Sequence, residues 1–111
     1  MILKNAKGSS SVSPRPPYPY TSWLNYWKGK TGIYDLRTNP YSFVPTCRCP
    51  LCNQVKSVSE FVGGHVKKLF DADTQWYITP ICQSCNNTPD KQSMFISDYD
   101  APILVQIPSN I

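Results

Sequence analysis

Four cysteines in two matching pairs, Cys49-Pro50-Leu51-Cys52 and Cys82-Gln83-Ser84-Cys85, carry the plainest chemistry in this sequence. Two residues between thiols let the backbone curl so that both sulfurs point at one centre. Two such pairs supply the four thiolates of a closed tetrahedral zinc site, at roughly 2.3 Å each. The 29 residues between Cys52 and Cys82 exceed the commonest zinc-finger loop, so they must fold into an element of their own. Cys47 is a fifth thiol, in Cys47-Arg48-Cys49. It could replace Cys49, but the Cys49/Cys52 pair has the tighter spacing and a proline-stiffened turn. Cys47 is read as a spare that packs as a small hydrophobe.

Charge gives the second signal. Residues 1–68 hold ten lysines and arginines against Asp35 and Glu60, while residues 69–111 hold Lys91 against five aspartates. A basic half of this kind suits a polyanion, DNA or RNA, with Arg48, Lys56, Lys67 and Lys68 as the candidate contacts. Scattered solvated lysines on a small protein are the competing reading. No secretory leader or membrane-spanning apolar run is expected, and a reducing, cytoplasmic-type compartment follows, where thiols meet zinc more readily than each other.

The elements that must position these residues fit a single small domain of 111 residues whose apolar core would be marginal without a metal cross-link. Residues 1–20, rich in Ser and Pro, read as a flexible arm that turns polyproline-like near Pro16 and leaves residues 21–111 as the folded unit. Thr21 or Ser22 caps a short helix in which Trp23, Tyr26 and Trp27 share one face, with Gly29 as its end. Val55–Val66 reads as a strand or hairpin arm, Asp71–Thr74 as a turn, and Trp76–Thr79 as the returning strand, ended by Pro80. Cys82 and Cys85 then fall at the first turn of a helix limited by Pro89. Ser93–Ile96 reads as a further helical turn, and Ile103–Ile107 as a late strand. The fold expected is α+β: zinc knuckle, β-hairpin and short helix in a treble-clef order, with an N-terminal aromatic helix and a C-terminal strand.

Gly64-His65-Val66, a returning strand, and then Pro80-Ile81-Cys82-Gln83-Ser84-Cys85-Asn86 resemble the zinc-supported HNH endonucleases, over residues 47–90. The resemblance implies that His65, the one histidine in the chain, is the general base, and that Asn86 holds a catalytic Mg²⁺ or Mn²⁺. The chemistry needs both: an activated water in line with the leaving oxygen, and a hard cation to offset charge on the phosphate. Two positions depart from the family pattern. Gly64 stands where an acidic residue or histidine would be the second cation ligand, and Tyr77 falls near the place of the middle asparagine. Read without the resemblance, His65 is a hydrogen-bonded histidine at a strand end and Asn86 a helix-start residue. Three functions therefore stand side by side: a metal-dependent nuclease, a silent zinc module that binds nucleic acid, and a protein-binding module or inhibitor of phage or mobile-element type.

Overall fold

A computed structural model describes residues 1–6, 15–38, 42–43, 46–69, 75–97 and 101–107, and they form an α+β fold with two antiparallel sheets and few helices. The expected turn at Asp71–Thr74 lies outside the described residues. The larger sheet has the strand order β1-β5-β6-β7, comprising β1 (Ile2–Asn5), β5 (Phe61–Leu69), β6 (Tyr77–Cys82) and β7 (Val105–Gln106). The smaller one joins β2 (Ser42–Phe43), β3 (Thr46–Arg48) and β4 (Val55–Ser57), in that order.

The β5–β6 hairpin is the spine of the molecule. Its register runs from Phe61 opposite Cys82 to Val66 opposite Tyr77 without an interruption. A regular register fixes which side chains share a face, because strand residues alternate. One face carries Phe61, Gly63 and His65; the other carries Val62, Gly64 and Val66. Val66 and Ile81 on the second face, and Ile78 opposite His65 on the first, are wholly buried.

Helix α1 (Trp23–Thr31) covers the face of Gly63 and His65. The Ser22 hydroxyl accepts the Asn25 N–H at 3.1 Å and so caps its first turn. Trp23, Tyr26 and Trp27 turn inward as the i, i+3, i+4 spacing predicts, and Trp27 is fully buried. Gly63 lets the helix approach this closely: a β-carbon there would collide with the Leu24 nitrogen. The Tyr26 hydroxyl donates to the Gln106 carbonyl at 3.1 Å, and Trp27 Nε1 to that of Ile103 at 2.9 Å. The helix thereby also holds the C-terminal segment in place.

Several expectations change. Gly29 does not end α1. The helix runs on to Thr31, and Gly32, with φ of 75°, supplies the left-handed cap. Gly29 instead makes room for the Tyr20 ring, whose Cε1 lies 2.6 Å from where a β-carbon would be. Residues 1–20 are not wholly an arm. Ile2–Asn5 pair with Val66–Leu69, and Leu3 and Asn5 are buried. Pro80 does not end the returning strand either, since β6 continues to Cys82. β7 pairs only with Tyr77 and Ile78, so its pairing stops short of the proline, which has no N–H to give. Ser93–Ile96 is not helical. It lies along β1, with Ser93 N–H donating to the Leu3 carbonyl and Ile96 N–H to that of Met1, each at 2.8 Å. The late strand is shorter than expected, at Val105–Gln106.

Candidate metal centre

The first cysteine pair sits in the turn between β3 and β4. Cys49 N–H donates to the Gln54 carbonyl at 3.0 Å, and the Cys49 carbonyl accepts from Asn53 N–H at 2.8 Å. Asn53 takes a left-handed conformation, φ 59°, which an asparagine tolerates better than most residues. The Arg48 guanidinium donates to the Asn53 carbonyl at 2.8 Å and ties down the outside of the turn. The second pair sits where β6 becomes α2 (Gln83–Asn86): Cys82 is the extended residue capping the helix, and Cys85 lies within it.

The sheet register brings the two turns together. All four Sγ atoms lie within 4.8 Å of one another, and Cys52 Sγ is 3.9 Å from Cys82 Sγ. A tetrahedron of sulfurs at 2.3 Å from a zinc ion has edges of about 3.8 Å, so the cluster needs little closure to take one. Cys49, Cys82 and Cys85 are buried, and Cys52 is partly exposed. Among the described residues this is the one grouping of three or more His, Cys, Asp or Glu side chains with ligand atoms close enough for a metal.

Protonation explains what a cation would do here. Burial pushes the Cys49 thiol up from 9.0 to about 11. Burial and the neighbouring thiolates also push Cys85 up. Burial alone would raise Cys82 as well, but the Cys85 N–H and the surrounding thiols hydrogen-bond to its sulfur and hold it below the usual value. Four adjacent thiols cannot all ionise unaided. A bound divalent cation stabilises all four thiolates at once. A soft all-sulfur donor set in closed geometry fits structural zinc.

A residue absent from the sequence reading completes the site. Asn5, on β1 and 1 % exposed, donates from Nδ2 to the carbonyls of Cys85 at 2.9 Å, Asn86 at 3.1 Å and Thr88 at 2.8 Å. These are carbonyls at the end of a very short helix, which need outside donors. No spacing rule links an asparagine at position 5 to a cysteine at 85.

The other predicted residues separate. A β-carbon on Gly64 would lie 3.6 Å from Asn86 Oδ1 and would collide with Cδ1 and Cγ1 of Ile81. Position 64 and Asn86 are therefore neighbours, with the Ile81 side chain occupying the place of any residue larger than glycine. His65 faces the other way, its ring 5.1 Å from that of Trp23 in an edge-on contact. Tyr77 is half-buried on β6, with Lys68 Nζ 4.9 Å from its ring centroid. Lys67 Nζ lies 4.8 Å from the Trp76 ring centroid. Lys67 and Lys68 are successive strand residues and so point to opposite faces, while Lys67 is the register partner of Lys4. Arg48 and Lys56 belong to the smaller sheet, on β3 and β4, and Lys56 pairs there with Cys47.

No family model matches the sequence, and neither a curated protein nor a solved structure matches the chain. Among the described residues, no helix is long and apolar enough to cross a membrane.

Proposed function

We propose that the chain is a treble-clef zinc module, similar in plan to the HNH nucleases, that binds nucleic acid without cutting it. The order of elements supports the plan: a cysteine knuckle between β3 and β4, the β5–β6 hairpin, then α2 supplying the last two sulfurs. One observation carries the silent chemistry. Asn86 lies beside position 64, where Ile81 fills the space a side chain would need, whereas His65 faces Trp23 on the other side of the sheet. A base and a hard cation must act on the same phosphate, and an asparagine carbonyl alone is a weak magnesium site. The binding half rests on charge: residues 1–68 carry ten of the chain's eleven basic residues, and Lys67 on β5 stands beside Lys4 on β1, which Asp90 pairs at 3.0 Å. Such residues hold a nucleic-acid backbone without reading its bases.

A binding titration and a plasmid-nicking assay test the two halves. Affinity for DNA or RNA falls steeply as salt rises, Lys67→Glu with Lys68→Glu weakens it for every sequence tried, and Mg²⁺ or Mn²⁺ supports no nicking. Nicking abolished by His65→Ala would overturn the silent half. Undetectable binding at about 50 mM salt would overturn the other and favour a protein partner. That second reading has its own support, since the adjacent Met94 and Phe95 are 89 % and 75 % exposed.

A further inference from the structure

We propose that Cys52 is the oxidation site of the cysteine cluster, where a peroxide reacts first and the product is a Cys52–Cys82 disulfide that opens the metal centre. The inference rests on the zinc reading for its consequence, and on the geometry of the four sulfurs for its choice of residue.

The four thiols are unequal in access. Cys49, Cys82 and Cys85 are 0 %, 2 % and 4 % exposed, while Cys52 is only partly buried, beside the exposed Asn53 and Gln54 of its turn. Cys49 Sγ also accepts the Cys82 N–H at 3.4 Å, which occupies a lone pair of an already enclosed sulfur. Cys85 lies in α2, where Asn5 holds its carbonyl from the adjacent strand. A small oxidant arriving from solvent therefore meets Cys52 Sγ first. The resolving partner is already in place, because Cys82 Sγ lies 3.9 Å away, from the other half of the site.

The chemistry closes in two steps. The Cys52 thiolate attacks one peroxide oxygen, the O–O bond breaks, and the departing hydroxide takes a proton to become water, leaving a sulfenic acid on Cys52. The Cys82 thiolate then attacks that sulfur, the S–O bond breaks, and a second hydroxide leaves and is protonated. Two sulfurs have given two electrons to one peroxide, which ends as two waters. The disulfide takes one sulfur from each cysteine pair, so a zinc ion held by the four would lose its grip on both the knuckle and the helix. A cross-pair bond differs in this from oxidation within Cys49/Cys52 or Cys82/Cys85, which would strip one pair and leave the other intact.

The test uses the full chain as purified, with zinc measured first by elemental analysis. A preparation without zinc defeats the zinc reading, while the choice of cysteine is still read from the same sample. A stoichiometric amount of hydrogen peroxide is added, zinc release is followed with a chromophoric chelator, and disulfides are mapped by mass spectrometry of non-reduced peptides. Cys52–Cys82 is the expected first product, with one zinc released per disulfide, and dithiothreitol with added zinc restores the starting state. A brief pulse of N-ethylmaleimide on untreated protein labels Cys52 ahead of Cys49, Cys82 and Cys85. Cys47→Ser leaves both results unchanged, since the four cluster sulfurs remain. A first disulfide within either pair or to Cys47, earlier labelling of another cluster cysteine, or no reaction with peroxide each overturns the proposal.

Discussion

The side-chain amide of Asn5 donates to the carbonyl of Cys85 at 2.9 Å, across 80 residues of sequence. The same nitrogen reaches the carbonyls of Asn86 and Thr88, so one buried amide from β1 serves the whole end of α2. The strand that closes one side of the sheet is thus also the brace of the cysteine cluster. Asn5→Ala leaves these carbonyls without that donor and destabilises the fold by about 1–3 kcal/mol. Asn5→Asp costs more, because it sets an acceptor against three acceptors. Denaturant midpoints of the two variants check the order, and equal midpoints for Asn5→Ala and wild type would show the brace to be idle.

Gly64 answers to Ile81. A β-carbon at position 64 collides with the end of that side chain, so Gly64→Ala destabilises by roughly 1–3 kcal/mol, the usual range for overpacking. Adding Ile81→Val recovers part of this loss, and the two changes are non-additive because the residues touch. The double-mutant cycle in urea measures it. Gly64→Asp meets the same obstruction, so it lowers stability before it can offer a carboxylate to any cation near Asn86.

Thr79 is 1 % exposed, and its hydroxyl has no hydrogen-bond partner among the described residues. A buried hydroxyl without a partner is a standing cost, and valine has nearly the same shape. Thr79→Val therefore raises stability, by about 1 kcal/mol. A lower melting temperature in thermal unfolding would show that the hydroxyl is satisfied after all.

The proposed zinc site carries a pH dependence of definite sign. In the metal-free fold, burial raises Cys49 from 9.0 to about 11, so its thiol is protonated at neutral pH and zinc must displace the proton to bind. Protons and zinc compete, affinity rises with pH, and acidification releases the metal. Competition against a chromophoric chelator between about pH 6 and about pH 8 reads this directly. Cys82→Ser removes one of the four sulfurs of the proposed site, at the junction of β6 and α2, and unfolds or strongly destabilises the chain, a loss that far-UV circular dichroism and zinc analysis register together.

The local chemistry was legible in the sequence. Two-residue spacings brought each cysteine pair to one centre, and the hairpin between the pairs, the aromatic face of α1 and its Ser22 cap all follow from patterns within a few residues of each other. Tertiary structure decided what depends on register and on distant segments. Whether His65 faces the same side as Asn86 is a matter of strand parity. The β5–β6 pairing sets it, and a shift of one residue would reverse it. Pro80 stays within β6 because β7 stops pairing at Ile78, which composition does not reveal. Ile2–Asn5 look too polar in context to leave solvent. They enter the sheet because β5 offers an unpaired edge and the end of α2 offers carbonyls for Asn5. Short-range spacing constrains neighbours. The pairing of strands far apart in the chain is fixed only when backbone hydrogen bonds and buried surface are satisfied together.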